Sequence, residues 1–263
     1  MNSWRKEFYS FMNDKSWNNN DMKELIKNNH PKNLYKYKEV NEYTLAMIKE
    51  ENIWASNPKE FNDPYDCLLD FNGDIVIQET LKKILNVPEI HCINEKEKNK
   101  MIDKIKIHME NLINQIAIVC LSEEKDNILM WSHYAKNHQG ICIEYDYNDI
   151  SNYTEVYPVV YMEENIDLSK SIINIDPYGI HKKIMIKFAL WEYEKEWRII
   201  FNNNDSKTNG GLISFPKIKA IYLGCKINKD DKEKIIKLTK EKKIDLYQMK
   251  MEKNKFKLTY DKI

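Results

Sequence analysis

The sequence contains few glycines and none of the glycine patterns that bind phosphate groups. Six glycines occur among 263 residues, and none of them forms a G-x-G-x-x-G motif or a Walker loop. No serine lies in the G-x-S-x-G turn that carries the nucleophile of α/β-hydrolases. We therefore do not expect a dinucleotide-binding Rossmann fold, a P-loop enzyme or an α/β-hydrolase.

Paired cysteines and long apolar runs are also absent. The five cysteines are scattered without a C-x-x-C pair, so nothing indicates a disulfide framework or a zinc knuckle. The first residues lack the apolar stretch of a signal peptide, and no window is long and apolar enough to cross a bilayer. These absences predict a reduced, cytoplasmic protein without a membrane partner.

The charges balance overall but are unevenly distributed. Lysine plus arginine and aspartate plus glutamate each number 41, so net charge gives the whole molecule no preference for nucleic acid. Residues 217–262, however, contain 15 lysines and 7 acidic residues. This segment could contact nucleic acid or an acidic partner, although lysine-rich solvated helices are common.

The pattern of apolar residues predicts an α+β fold. Residues 34–37 and 53–56 have the character of short strands on either side of a helix, and the apolar run 116–121 is typical of a buried central strand. Strands are clustered, helices are irregularly placed, and no repeat is visible. We predict a helical lead-in over residues 1–30 and one α+β domain over 31–263 with a lysine-rich C-terminal part.

An acidic segment, Trp191–Phe201, places carboxylates at every second position before an apolar run. The pattern predicts a strand, preceded directly by a helix over residues 177–190. Its period of two would place four charged residues on one face, namely Glu192, Glu194, Glu196 and Arg198. Such a row fits either a solvated face partly balanced by the arginine or a site that needs carboxylates close together.

Two further groups of residues could bind ligands. Asp63 and Asp66 lie in a turn, where Asp63 can bind its own backbone, and two acids are too few for a divalent metal site. His133 and His138 are about 140° apart on a helix, so they do not share a face as zinc ligands would. We expect no metal ion. His133 could orient a ligand or serve as a structural histidine.

Three blocks of the sequence together resemble a widespread bacterial family of unknown function, DUF2971. The resemblance covers about residues 33–225, and its blocks are LYKY with the downstream FNDP, MWSHY, and WxYExEWR. This family has no assigned reaction.

A more distant resemblance connects the chain with the ADP-ribosyltransferases. Their signatures are an arginine or histidine on a first strand, a serine on an aromatic-rich strand, and a late glutamate, often as E-x-E. Lys36, Ser56 and the pair Glu194 and Glu196 occupy these places in the same order. The resemblance implies a split central sheet, mixed but mostly antiparallel, with peripheral helices, and NAD as the substrate.

The resemblance also implies roles for these residues. Glu196 would hold a ribose hydroxyl and face the positive charge that grows when the nicotinamide glycosidic bond breaks. Glu194 would orient or deprotonate the acceptor. Lys36 departs from the usual arginine or histidine, because one ammonium cannot form a planar bidentate contact. The aromatic residues that could stack on nicotinamide are Tyr35, Tyr37 and Trp54.

Three functional hypotheses follow. The first is an ADP-ribosyltransferase-like enzyme that transfers ADP-ribose from NAD to a macromolecule, in a bacterial toxin or phage-defence setting. The second is a non-catalytic sensor or interaction module on the same fold. The third is a metal-dependent nuclease or phosphoesterase that would use Asp63, Asp66, His133 and Glu196.

Overall fold

The structure is a computed structural model that describes residues 3–13, 20–88, 94–202 and 210–263. The helices of the described chain are α1 (Ser3–Asn13), α2 (Asn20–Asn29), α3 (Glu42–Glu50), α4 (Gly73–Leu85), α5 (Glu95–Asn114), α6 (Ile128–Tyr134), α7 (Tyr147–Tyr153), α8 (Ser169–Ile173), α9 (Gly179–Ile184) and α10 (Lys229–Lys242). Two 3-10 helices span Pro58–Glu60 and Ala189–Glu194.

The strands of the described chain are β1 (Asn33–Lys38), β2 (Asn52–Ser56), β3 (Ile116–Ser122), β4 (Ile141–Asp146), β5 (Tyr157–Pro158), β6 (Val160–Met162), β7 (Ile186–Phe188), β8 (Glu196–Asn202), β9 (Gly210–Ser214), β10 (Ala220–Leu223), β11 (Asp245–Met251) and β12 (Leu258–Lys262). The main sheet has the order β12-β11-β10-β4-β1-β3-β2-β9. A branch adds β8 to β3 and β5 to β8, and β6 pairs separately with β7. Within the main sheet β10 and β11 run parallel, while its other recorded pairs are antiparallel. The predicted α+β fold with a mixed, mostly antiparallel sheet and peripheral helices is confirmed.

Strand β3 is the central strand of this arrangement. It pairs with β8 along its whole length, from Ile116 to Ser122. Six of its seven residues are buried, because both faces of the strand are covered. A strand buried on both faces has a nearly continuous apolar sequence, so the predicted central strand is confirmed.

The sheet separates where β1 and β2 meet β3. Each of these two strands pairs with β3 at a single position, Tyr35 with Ser122 and Ser56 with Ile118. Beyond these positions β1 continues along β4, and β2 continues along β9. The divergence leaves space between strands that are neighbours in the sheet.

The N-terminal helix α1 packs on the body of the protein. Phe8 and Met12 are fully buried, and the ring of Trp4 lies 6.0 Å from that of Trp197 on β8. The Arg5 guanidinium donates to the Glu123 carboxylate at 2.7 Å. Helices α1 and α2 both fall in the predicted helical lead-in, whose residues 14–19 lie outside the described residues.

The acidic segment does not form the single strand that its alternation predicts. Residues 189–194 form a 3-10 helix, Lys195 adopts a left-handed conformation with a φ of 43°, and β8 begins only at Glu196. The predicted helix over 177–190 is also interrupted, because β7 follows the short helix α9. Residues two positions apart in a 3-10 helix point in different directions, and here Glu192 is exposed whereas Glu194 and Glu196 are buried.

Gly140 provides a test of the close packing beside β1. A Cβ atom at this position would lie 2.2 Å from the Lys38 carbonyl oxygen, whereas one at Gly211 would have no neighbour within 4 Å. We expect Gly140→Ala to lose about 1–3 kcal/mol, because a backbone atom cannot move aside as a flexible side chain can. Thermal unfolding should show a Tm lower by about 5 °C, with little change for Gly211→Ala. Equal Tm values for the two variants would contradict this packing.

Candidate active site

A cavity of about 390 Å³ opens where the sheet separates. Its walls come from four regions of the chain: β1, the end of β2 with the turn over residues 60–66, β3 with α6, and the segment from β7 to β8. The two carboxylates of the E-x-E motif line the cavity together with Lys36 on β1 and Ser56 on β2. The residues that define the distant resemblance therefore share one concave site.

Three other predicted residues line the same cavity, and one does not. Tyr35, Tyr37 and His133 all contribute to its walls. Trp54 lies outside it and borders a second cavity with Leu212. Trp54 pairs in register with Leu212 on β9, and this pairing holds its ring away from the carboxylates. A stacking role for Trp54 beside the E-x-E motif therefore has no support in the geometry.

Arg198 forms the centre of a buried ionic cluster at the base of the cavity. Its side chain has no exposure to solvent, and the guanidinium donates to both Asp66 carboxylate oxygens at 2.9 and 2.6 Å. It also donates to both Glu196 oxygens at 2.7 and 3.2 Å. Planar guanidinium groups suit such paired contacts. Arg198 therefore holds the turn that carries Asp66 against the start of β8.

Lys187 on β7 is the second cation of the cluster. Its Nζ atom lies 2.6 Å from Glu194, 3.0 Å from Glu196 and 3.4 Å from Asp66. With Arg198, two cations thus face three carboxylates. When all three carboxylates are ionised, the cluster carries one excess negative charge in a site largely shielded from water.

The protein environment shifts the pKa values of Glu194 and Glu196 in opposite directions. Burial raises the pKa of Glu194, and the neighbouring Glu196 carboxylate raises it further, against the opposing charge of Lys187. Burial also acts to raise the pKa of Glu196, but Arg198 and Lys187 together hold that pKa below its usual value. One carboxylate is therefore fixed in its ionised form, whereas its neighbour accepts a proton more readily.

Hydrogen bonds fix the backbone and side chains of this segment. The Tyr134 hydroxyl donates to Glu194 Oε1 at 2.5 Å, and the Ser122 hydroxyl donates to the Glu194 carbonyl at 2.6 Å. The Tyr161 hydroxyl accepts from the Glu196 backbone N–H at 2.7 Å. These contacts preorganise the carboxylates before any ligand binds.

The residues on β1 also have partners in the protein. Lys36 donates from its ammonium to the Cys120 carbonyl on β3 at 2.8 Å, which supplies a donor where the strands have separated. The Tyr37 hydroxyl donates to the Glu124 carbonyl at 2.6 Å. Both side chains are thereby anchored at the cavity wall.

His133 and the turn that carries Asp63 and Asp66 each form their own contacts within the protein. His133 Nδ1 lies 2.9 Å from the Tyr193 hydroxyl. Asp63 Oδ1 accepts from the Tyr65 backbone N–H at 2.9 Å, which confirms the predicted Asx-turn. Asp66 instead binds Arg198. Among the described residues, no group of three or more histidine, cysteine, aspartate or glutamate side chains is arranged to hold a metal ion.

Sequence reasoning missed Lys187 and did not assign Tyr134 a place in the site. Lys187 lies where the apolar pattern predicts a helix, so its position on a short strand beside the E-x-E motif was not apparent. Tyr134 belongs to the MWSHY block. The resemblance of that block to a family was the one sign in the sequence that Tyr134 could belong to the site.

A family model described as "Protein of unknown function (DUF2971)" matches residues 130–199. This segment of the chain is similar to DUF2971, as the sequence blocks predict. It contains Lys187, Arg198 and the E-x-E motif, whereas Lys36 and Ser56 lie outside the matched residues. Neither the curated proteins nor the solved structures yield a match to the chain.

Among the described residues, no helix combines the length and the apolar character that crossing a bilayer requires.

Removal of the Arg198 charge should strongly destabilise the fold. Arg198→Met keeps an unbranched side chain but leaves Asp66 and Glu196 without their main counterion, and we expect a loss of about 3–5 kcal/mol in unfolding free energy. Lys250→Met is the control, because it removes an ion pair between side chains that are both more than half exposed. That pair contributes at most about 1 kcal/mol. Denaturant unfolding at neutral pH measures both changes.

The pH dependence separates lost charge pairing from lost packing. The depressed pKa of Glu196 contributes stability above the ordinary glutamate pKa, and this stability disappears as the pH falls through the pKa in the folded protein. Arg198→Met removes that contribution, so its unfolding free energy should approach that of the parent protein at acidic pH. A difference that stays constant with pH would show that packing alone was lost.

Proposed function

We propose that the protein is an NAD-dependent ADP-ribosyltransferase-like enzyme that modifies a macromolecule, in the setting of a bacterial toxin or a phage-defence effector. The observation that carries the proposal is the pair of adjacent carboxylates with opposite pKa shifts, in one cavity with Lys36 and Ser56. Neighbouring groups whose pKa values are driven apart are typical of acid–base sites.

The charge of the cluster suits cleavage of the bond between nicotinamide and ribose. This reaction passes through a state in which positive charge develops on the ribose, as in glycoside hydrolysis. Glu196 stays ionised because Arg198 and Lys187 stabilise its carboxylate. A preorganised negative charge in a site sheltered from water stabilises such a transition state more than it stabilises the ground state.

Glu194 suits the role of a general base toward the acceptor. Its raised pKa makes it a better proton acceptor than an ordinary glutamate. Its two oxygens bind Tyr134 and Lys187, and these contacts fix its direction at the cavity wall. Glu194 would remove the proton from the acceptor nucleophile as the new bond to ribose forms.

The remaining walls offer groups that suit the rest of the dinucleotide. Tyr35 and Tyr37 line the cavity beside Phe61 and Tyr134, and such rings can stack on a planar nicotinamide. The Lys36 ammonium has three N–H donors, one of which binds the Cys120 carbonyl. The other two could face the diphosphate of NAD.

The lysine-rich C-terminal part is the proposed region for contact with a macromolecular acceptor that is acidic or a nucleic acid. Its helix α10 has exposed lysines, and two of them pair within the helix, Lys229 with Glu233 at 3.9 Å and Lys234 with Asp231 at 3.6 Å. These exposed pairs contribute little stability and can exchange for phosphate contacts.

Glu194→Gln tests the proposed base. The substitution preserves shape but removes the proton acceptor, so nicotinamide release from NAD in the presence of acceptor should fall by about 10²–10⁴-fold. The rate for the parent protein should rise with pH as Glu194 ionises, and this rise should be missing in the variant. Glu192→Gln, an exposed glutamate in the same segment, is the matched control and should keep both the rate and its pH profile. Unchanged release by Glu194→Gln would exclude this role.

Glu196→Gln should differ from Glu194→Gln in its effect on stability. Loss of the Glu196 charge removes a partner of Arg198 and Lys187 in the interior, so we expect both loss of NAD cleavage and a lower Tm. The raised pKa of Glu194 means that the fold does not favour its charge, and a neutral glutamine there should change stability by about 1 kcal/mol or less. Nicotinamide release and thermal unfolding, measured on both variants, separate catalysis from folding.

One observation favours a non-catalytic sensor or interaction module as the second candidate. The Glu196 carboxylate already accepts from Arg198 and Lys187, and buried charges in proteins are commonly paired for structural reasons. This alternative expects no heat of NAD binding in calorimetry, and it expects Glu196→Gln to lower the Tm without any NAD cleavage to lose. The third hypothesis, a metal-dependent nuclease, has no such support, because a metal ion at Asp66 and Glu196 would have to displace Arg198.

A further inference from the structure

A second cavity of about 510 Å³ lies beside the ends of β1 and β2. Lys38 at the end of β1 lines it together with Met47 of α3, Trp54 of β2 and Leu212 of β9. Lys38 follows Lys36 by two residues, so both point to the same face of β1. Each cavity thus takes one of these two lysines, and the other residues that line the two cavities differ.

Lys38 differs from the other lysines of this region in its contacts. Lys36 is bound to a backbone carbonyl, and Lys187 is bound to carboxylates. No hydrogen bond or ion pair is recorded for the Lys38 ammonium within the residues that the structure describes. The groups that act on it at longer range are Lys36, Glu39 and Cys120.

The surroundings of Lys38 favour the neutral amine. Burial, and to a smaller extent the positive charge of Lys36, lower the pKa of Lys38 to about 8, against the weaker opposing effect of Glu39. At a pH of about 7.5 such a group has on the order of a hundredfold more neutral amine than an ordinary lysine. An apolar pocket and a neighbouring cation are the conditions that activate lysine nucleophiles in enzymes.

The apolar part of the cavity wall suits a flat apolar ligand, while the titratable residues Glu39, Tyr43 and Glu50 also line the cavity. The Trp54 side chain is 39% exposed and the Leu212 side chain 60% exposed, and both border the cavity. Gly210 allows the Trp54 ring to lie against β9, because a Cβ there would come within 3.0 Å of the ring. The ring is thus supported from behind and available for stacking on the side of the cavity.

We infer that Lys38 forms an imine with a small aromatic aldehyde or ketone that binds in this cavity against Trp54 and Leu212. The Lys38 nitrogen would attack the carbonyl carbon to give a carbinolamine. A C–N double bond then forms as the carbonyl oxygen leaves as water, which carries both amine protons away. The step needs no oxidant, reductant or metal, and it does not depend on the proposed use of NAD.

The test is imine trapping on the 263-residue chain with 2-hydroxybenzaldehyde, an uncharged molecule with an aromatic ring and a carbonyl group. Borohydride reduces the imine to a stable amine, and peptide mass mapping then locates and quantifies the label. We expect Lys38 to be labelled at least about tenfold faster than the exposed Lys59, with a half-maximal rate near pH 8. Labelling of both lysines at the same rate would overturn the inference, and this comparison needs no variant.

Two substitutions separate the cavity from the amine. Lys38→Arg keeps a positive charge but cannot form the imine, so the fast label should vanish, whereas Lys59→Arg should leave it unchanged. Leu212→Glu retains Lys38 but places a charge in the apolar wall, and it should reduce labelling of Lys38 at least about tenfold at low aldehyde concentration. Fast labelling of Lys38 that persists in Leu212→Glu would contradict binding in the cavity.

Discussion

The candidate site depends on one buried guanidinium. Arg198 is inaccessible to solvent and binds Asp66 and Glu196 at once, so it joins an early turn to the strand that begins with the E-x-E motif. A buried charge of this kind is stable only when its partners are in place. The ion pair that holds the fold together at this point also keeps Glu196 ionised. The ionised Glu196 and the raised pKa of Glu194 together determine the electrostatics of the cavity.

The second constraint is the separation of the sheet at β3. Because β1 and β2 each meet β3 at a single position, backbone groups and side chains that a continuous sheet would cover are left facing open space. Lys36 donates to a freed carbonyl on one side, and Lys38 lies at the edge of a second cavity with no such partner among the described residues. Lys36 and Lys38, two positions apart on β1, therefore differ in chemistry. The Lys36 ammonium reaches β3 and is hydrogen-bonded there, whereas the Lys38 ammonium is available to a ligand.

Much of the architecture was predictable because it depends on local pattern. The apolar run that became β3, the strands on either side of α3 and the order Lys36, Ser56, Glu196 all follow from the sequence. The structure of the acidic segment was not predictable, since the alternation of charges cannot reveal that Lys195 is left-handed or that the chain turns there. Lys187 was missed for the same reason: its part in the site comes from contacts with residues seven and nine positions later, across that turn.

By itself the sequence determined the α+β class, the buried central strand and the carboxylates that are candidates for glycosidic chemistry, because hydrophobic periodicity and side-chain type are properties of the chain. Only the tertiary structure decided that the E-x-E carboxylates are buried and not solvated, and that Trp54 belongs to a different cavity. The reason is that pKa values, burial and ion pairing arise between segments distant in sequence. Residues as far apart as Asp66 and Arg198 acquire their chemistry from one another only after the chain has folded.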